Sequence, residues 1–472
     1  MTLDYSALLS DSARNRMPSA IRSLFPAELI PGMVSLLSGK PNSTTFPFQR
    51  ITLELKPEIS PNGDTVETVS IEGSDLDIAL QYSATSGIPK LVDWIEQFQS
   101  KVHNRQKLTQ GGKGEVWRCS FGNGSQDLLT KTFEALIDEG DSVVLESPAY
   151  SGILPSLVSH KAQMFEASTD DQGVEPSSLD NLLTNWTTNP TTSSHRFPKF
   201  LYTTPTGANP SGTSASDDRK RQILSIVGKH NMLLLEDDPY YFLSFSGLTA
   251  DADPVTRQRG KSYFQLEADK ENGGVGRVVR FDSFSKILSA GLRLGFVTGP
   301  NEILDAIDLD TSSRNLQTSG TSQAIAYALL NKWGIEGFLR HADGVARFYQ
   351  DRLEAFESAA TRILTAQKPP IASWTRPTAG MFLWINLVLP PTAESAQGDS
   401  FDLISNKAKA AGVLALPGVA FKPPSGNGAK KTSAYVRTSF SQVPLEHVDT
   451  AFIRLREVVQ EAWTEAKLEI PQ

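Results

Sequence analysis

Five short apolar runs recur through the middle of the chain: Val143-Val144-Leu145, Gln163-Met164-Phe165, Phe200-Leu201-Tyr202, Met232-Leu233-Leu234-Leu235 and Val278-Val279-Arg280-Phe281. Several are separated by segments of helical periodicity. Strands that alternate with helices need crossover connections, so the pattern restricts the chain to an α/β domain whose mostly parallel sheet is covered by helices. Ligands of such sheets sit beyond the carboxyl ends of the strands. The residues just after each run are therefore the site candidates: Ser147-Pro148-Ala149-Tyr150, Thr203 to Pro210, Glu236-Asp237-Asp238-Pro239-Tyr240-Tyr241 and Ser283-Phe284-Ser285-Lys286.

At 472 residues the chain is too long for one core and holds roughly two to three domains' worth of length. We place an N-terminal arm with part of a small domain at residues 1–74, a large domain at 75–333 and a C-terminal small α+β domain at 334–472. Gly87 to Val102 reads as an amphipathic helix through Ile88, Leu91, Val92, Ile95 and Phe98. The run Val116 to Phe121 leads into Gly122-Asn123-Gly124-Ser125-Gln126 and a helix striped by Leu129, Phe133, Leu136 and Ile137. A strand, a glycine turn and a helix start make an anion site from backbone N–H groups. Two stretches, 187–195 and 248–276, read as surface excursions; Asp251, Asp253, Gly273 and Gly274 make the second polar, as in a mobile loop. Extended runs at 381–385, 413–416 and 435–441, with a helix striped by Leu445, Val448, Phe452, Leu455 and Val459, build the small domain, and the arm is expected to pack with it.

Composition narrows the function classes. Lys plus Arg is 45 against 53 Asp plus Glu, a formal charge of −8, with no basic run to grip nucleic acid. No apolar run is long enough to span a bilayer, and the N-terminus, which carries Asp4 and Asp11, has no continuous apolar segment of a secretory signal. The single Cys119 can form neither an internal disulfide nor a thiolate metal cage. A cytoplasmic protein without nucleic-acid, membrane or metal partners is expected, with Arg14, Arg16 and Arg22 the residues a mitochondrial address would use.

The stretch Ser283 to Arg293 concentrates the chemistry. Lys286 stands among the hydroxyls of Ser283, Ser285 and Ser289, with Arg293 seven residues on. A desolvated lysine beside a cation has the lowered pKa that a Schiff-base nucleophile needs, and two serines with an arginine can hold a phosphate dianion. Each motif taken singly is also what a loop, a turn or a surface ion pair would supply; their order, each at the end of an expected strand, is what a chance arrangement rarely produces.

With Gly39-Lys40-Pro41-Asn42, Asn209-Pro210, Asp238-Pro239-Tyr240-Tyr241, Ser283 to Lys286 and Arg437-Thr438-Ser439-Phe440-Ser441 in this order, the chain resembles fold-type I pyridoxal-phosphate aminotransferases. It is most similar to the aromatic and 2-aminoadipate/kynurenine enzymes, fungal members in particular. The resemblance implies a large domain with a mostly parallel seven-stranded sheet between helices, a smaller α+β domain, and pyridoxal 5′-phosphate as cofactor. It makes Lys286 the lysine that carries the cofactor as a Schiff base and then moves the substrate proton. Asp238 becomes the partner of the pyridine nitrogen, and Tyr241 with Asn209 holds the ring oxygen O3′. Tyr150 would stack on the ring, and Ser125, Gln126, Ser283, Ser285 and Arg293 would cup the phosphate, joined by Tyr82 from a second subunit of a homodimer. Arg437 would clamp the substrate carboxylate, with Arg22 as a swinging second arginine, Gly39 leaving space and Phe382 and Tyr82 as apolar walls. The implied reaction is ping-pong transfer from phenylalanine, tyrosine, tryptophan or a related large amino acid to 2-oxoglutarate. Kynurenine or 2-aminoadipate as main donor is the alternative; a lyase, or a cofactor-sensing regulator on the same fold, fits less well.

Overall fold

The large sheet is built, in chain order after a hairpin of β1 (Arg50–Glu54) and β2 (Thr68–Glu72), from β3 (Arg118–Gly122), β4 (Ser142–Ser147), β5 (Gln163–Asp170), β6 (Gly173–Val174), β7 (Phe200–Thr203), β8 (Leu233–Asp237), β9 (Val278–Ser283) and β10 (Gly295–Gly299). The computed structural model describes residues 3–37, 39–56, 67–108, 115–249, 251–269, 274–366, 368–425 and 429–471. Across the sheet the order is β3-β10-β9-β8-β7-β4-β5-β6. The five apolar runs are β4, β5, β7, β8 and β9, and these pair in parallel. β10 runs antiparallel to both its neighbours. An eighth strand joins the expected seven because Gly173, at φ 80°, turns the chain back so that β6 pairs with the end of β5.

Burial on both faces explains why the runs are continuous rather than alternating. Alternate residues nevertheless go to different layers. Phe200, Tyr202, Leu233, Leu235, Val279 and Phe281 join one apolar cluster with the helix Ser125–Leu136. Leu201, Leu234 and Val278 join another with Leu91, Ile95 and Phe98 of the helix Pro89–Val102. The long helix Gly320–Ala360 is broken at Gly334 (φ 65°, ψ 178°), a conformation that glycine adopts without strain. It leads to a four-stranded antiparallel sheet of β11 (Ala372–Ser373), β12 (Phe382–Leu387), β14 (Tyr435–Ser439) and β13 (Leu416–Pro417). The helix Val448–Ala466 covers that sheet with Val448, Phe452, Leu455, Val459 and Trp463.

Two expectations are corrected. The start of the arm, residues 3–16, packs on the large domain rather than on the small domain. The Ser10 N–H donates to Ala135 O (2.7 Å), the Tyr5 hydroxyl donates to Gly276 O (2.8 Å), Arg16 pairs with Asp310, and Leu3 is buried beside Leu128 and Leu129. Its anchors mix polar groups with a few apolar ones, Leu3, Tyr5, Leu8 and Leu9, whose spacing follows no single helical or strand period. The second excursion is anchored too. Tyr263, Phe264 and Leu266 are buried, Arg257 pairs with Asp343 (2.7 Å), Glu267 with Arg105 (3.0 Å), and Lys220 Nζ donates to Lys261 O (2.7 Å). The acids at 251 and 253 describe only its outer edge; Gly273 lies outside the described residues.

Candidate active site

The carboxyl ends of β7, β8 and β9 open on a cavity of about 360 Å³, closed on the far side by Phe382 and Arg437 of the small sheet. Lys286 stands inside it, on a short turn of helix (Phe284–Lys286) that follows β9 and is pinned by the buried Phe284. Burial, then Arg293, then Arg437 push the Lys286 amine below the ordinary lysine pKa, the direction a nucleophilic amine needs.

One end of the cavity is an anion cradle. Gly124 takes φ 90°, and a Cβ there would come within 2.6 Å of Arg293 Nη2, so only glycine lets the guanidinium lie over the first turn of the helix Ser125–Leu136. Arg293 donates from Nη1 to Ser285 Oγ (3.3 Å) and Ala290 O (3.1 Å), and from Nη2 to Asn123 O (3.0 Å). Ser125, Gln126, Ser283 and Ser285 line the same end. A helix start, hydroxyls and a guanidinium together bind a phosphate. Tyr150 covers one wall; a Cβ at Gly152 would sit 2.3 Å from its ring, so that residue too must be glycine.

The end of β8 decides between two adjacent acids. Asp238 N–H still pairs with Phe281 O (3.0 Å), so the strand's alternation runs through it. Glu236 and Asp238 face away from the cavity, where the buried Arg280 reaches Glu236 Oε1 (3.1 Å), Asp238 Oδ2 (2.9 Å) and Asp282 Oδ1 (2.8 Å). Asp237 faces the cavity. Its Oδ2 accepts the Tyr202 hydroxyl (2.6 Å), while Oδ1 is buried without a partner. Burial pushes this carboxyl up to about 7, with the Tyr202 hydrogen bond opposing and Asp238 adding. Three residues on, Tyr240 lines the cavity. Tyr241 turns the other way, its hydroxyl donating to Gly260 O (3.0 Å) and its ring 4.9 Å from the Arg280 guanidinium. The expected pair Asp238 and Tyr241 is thus corrected by one residue to Asp237 and Tyr240. A signal was present in sequence: an arginine inside the apolar run of β9 must find buried acids, and Glu236 and Asp238, two apart on one strand, share a face.

At the other end, Arg437 donates from Nη1 to Asn209 Oδ1 (2.9 Å), and its guanidinium lies 4.5 Å from the Phe382 ring centroid and 5.2 Å from that of Phe421. Its Nε is buried and unpartnered, and burial pushes its pKa down. A guanidinium restrained by two aromatic rings and by the Asn209 amide oxygen is held in place to take a carboxylate in its fork. Thr204, Pro239 and Ala290 also line the cavity; all three fall within the stretches marked out from sequence, which gave them no role of their own.

Arg22, Gly39 and Tyr82 do not line the cavity of their own chain. Arg22 donates to Thr85 Oγ1 (2.8 Å) and Ser83 O (3.4 Å), next to the half-exposed Tyr82. A larger cleft of about 880 Å³, between the end of β5 and Trp374 and Trp384 of the small domain, contains none of Lys286, Asp237, Arg293 or Arg437. Among the described residues there is no acid, histidine or cysteine cluster fit for a metal, and no helix is long and apolar enough to cross a membrane.

An amine, an anion cradle, an aromatic wall and a buried carboxylate with one free oxygen fit a phosphorylated pyridine aldehyde, and the comparisons agree. Residues 75–452 match the family aminotransferase class I and II, and the chain belongs to it: this is a fold-type I aminotransferase whose cofactor is pyridoxal 5′-phosphate. It is similar to aminotransferase tdiD of Emericella nidulans, 41% identical over 456 residues that cover 97% of this chain and 96% of that one. It is also similar to the mitochondrial kynurenine/alpha-aminoadipate aminotransferase of Bos taurus, 34% identical over 98% of this chain and all of that one (100%). Among solved structures, aminotransferase Aro8 from Candida albicans superposes with a TM-score of 0.83 at 27% identity, covering 98% and 99% of the two chains.

Proposed function

We propose that this aminotransferase takes the amino group of an aromatic or similarly large amino acid and gives it to 2-oxoglutarate in a ping-pong cycle. Kynurenine and 2-aminoadipate, named for the bovine relative, are the alternative donors. The observation that carries the reading is the pair of opposed cations, Arg293 in the cradle and Arg437 between Phe382 and Phe421, with the Lys286 amine between them. When bound, the cofactor supplies an electron sink for the bond broken at the substrate's α-carbon.

In this reading Lys286 would hold the cofactor's aldehyde carbon, and its amine would be the group that carries the proton of the substrate α-carbon. Asp237 keeps a proton on the ring nitrogen. Tyr240 orients the ring oxygen together with Asn209, whose Oδ1 is taken by Arg437 so that its amide N–H groups are left to donate. Tyr150 covers the ring face, and Ser125, Gln126, Ser283, Ser285 and Arg293 hold the phosphate. Arg437 takes the substrate carboxylate in its fork, with Phe382 as an apolar wall. Tyr82, Arg22 and Gly39 act in the cavity of a second copy. The arm's exposed Met17, Leu24, Val34, Leu36 and Phe48 support such a homodimer, since large apolar side chains exposed this densely along one segment are the kind that assemblies cover. A cytoplasmic site of action suits the lone, buried Cys119.

The test is to add phenylalanine to the holoenzyme without an acceptor and follow the cofactor's visible band. The band should collapse and return on adding 2-oxoglutarate. Product release with no such cycle would mark a lyase instead.

A further inference from the structure

Tyr202 sits in the middle of the sheet, fully buried on the same face as Phe200, Leu233, Leu235 and Val279. A phenylalanine would satisfy that apolar layer. A buried phenol needs a hydrogen-bond partner, and this one donates to Asp237 Oδ2 at 2.6 Å. The Asp237 carboxylate has no second hydrogen bond among the described residues, and the buried Arg280, whose charge it feels, is taken up on the far face by Glu236, Asp238 and Asp282. A carboxylate is free to turn about its last bond, and a donor on one oxygen fixes the plane of both. Here it leaves Oδ1 unpartnered at the cavity wall.

We propose that Tyr202 is a positioning residue: its phenol orients Asp237 and stabilises its charged form, so that Oδ1 is presented to the N–H of the cofactor's ring nitrogen. The inference rests on Asp237 as the partner of that nitrogen. A purely structural tyrosine would support the cavity as a whole and favour no single atom of the ligand. Tyr202 would act on one atom only.

The experiment uses the full chain depleted of cofactor and titrates pyridoxal phosphate and its carbocyclic analogue, in which the ring nitrogen is replaced by C–H, against wild type, Tyr202→Phe and Asp237→Asn. Tyr202→Phe should weaken pyridoxal phosphate about ten-fold or more, the size of a hydrogen bond to a charged group, and leave the analogue's affinity within about three-fold. The ¹⁵N resonance of ring-labelled cofactor should move toward the unprotonated value in the same variant. If Asp237→Asn is selective for the nitrogen-bearing ring while Tyr202→Phe weakens both ligands alike, or neither, the role given to Tyr202 is overturned. If Asp237→Asn itself makes no distinction between the two ligands, the ring-nitrogen assignment of Asp237 fails first and this inference with it.

Discussion

The two faces of β8 are built from the same kind of residue and behave in opposite ways. On the far face Glu236 and Asp238 share a buried cation: Arg280 bridges them, leaving Asp238 Oδ1 without a hydrogen bond, and Glu236 also accepts the N–H groups of Tyr263 (2.7 Å) and Phe264 (3.0 Å). On the cavity face Asp237 keeps one oxygen, Arg437 its Nε and Lys286 its amine for something other than the protein. Paired charges in the interior hold a fold in register, whereas charged groups with no protein cation or anion beside them that also line a cavity mark where a ligand completes the pairing. One residue of register separates the two behaviours.

The largest break is Lys286→Ala, which should lower turnover by about 10⁴-fold or more while cofactor still binds through the cradle and Asp237. Borohydride reduction of the wild type followed by peptide mass analysis should place the pyridoxyl group on Lys286, and a label elsewhere would remove it from the centre of the site. Next, the adjacent acids should separate cleanly. Asp237→Asn should cost on the order of 10²–10³ in kcat without lowering the unfolding midpoint at neutral pH. Asp238→Asn should instead lower stability by about 3–5 kcal/mol, since it breaks a buried pair. The opposite assignment of losses in denaturation and kinetics would restore Asp238 and Tyr241 to the cavity.

A smaller effect follows from pH. The Asp237 carboxyl, pushed up to about 7 from an ordinary 3.8, binds a proton in the folded, cofactor-free protein that the unfolded chain has already released. Its contribution to stability is present below the unfolded value and is lost as pH rises from about 4 to about 7. Thermal midpoints of cofactor-free Asp237→Asn, taken relative to wild type, should therefore climb across that window and then level off; a flat difference would contradict the burial of this carboxyl. The smallest effect is expected at Arg22, which lies outside its own cavity. Arg22→Ala should lower kcat/KM for 2-aminoadipate roughly two- to five-fold more than for phenylalanine, the scale of an exposed ion pair. Equal losses would take it out of substrate selection.

The strands and the lysine loop were legible because residues buried on both faces of a sheet must be apolar in unbroken runs, and because loops after those runs stand out by contrast. The register of Asp237 was not, since Asp237 with Tyr240 and Asp238 with Tyr241 have the same three-residue spacing. It turned on Arg280, a residue in another strand. The anchoring of residues 257–267 was hidden for a different reason: beside the short buried group Tyr263, Phe264 and Leu266 it is made by backbone N–H groups and by long-range ion pairs such as Arg257 with Asp343, which leave no pattern along the chain. Tyr82, Arg22 and Gly39 stand outside the cavity of their own chain, and no pattern along one chain marks a residue that acts in another copy.

The cap that Glu236 provides for the helix Tyr263–Leu266 also bears on how this protein can vary. A polar excursion is ordinarily the cheapest part of a chain to trim. Here, deleting it would strip a fully buried carboxylate of two donors, directly behind Asp237, and replacing Glu236 would leave two interior N–H groups with nothing to meet. The excursion and that single strand residue therefore form one heritable unit: a shortened descendant would have to change both together, and a chimaera carrying only one of them should fail to fold before its chemistry could be assayed.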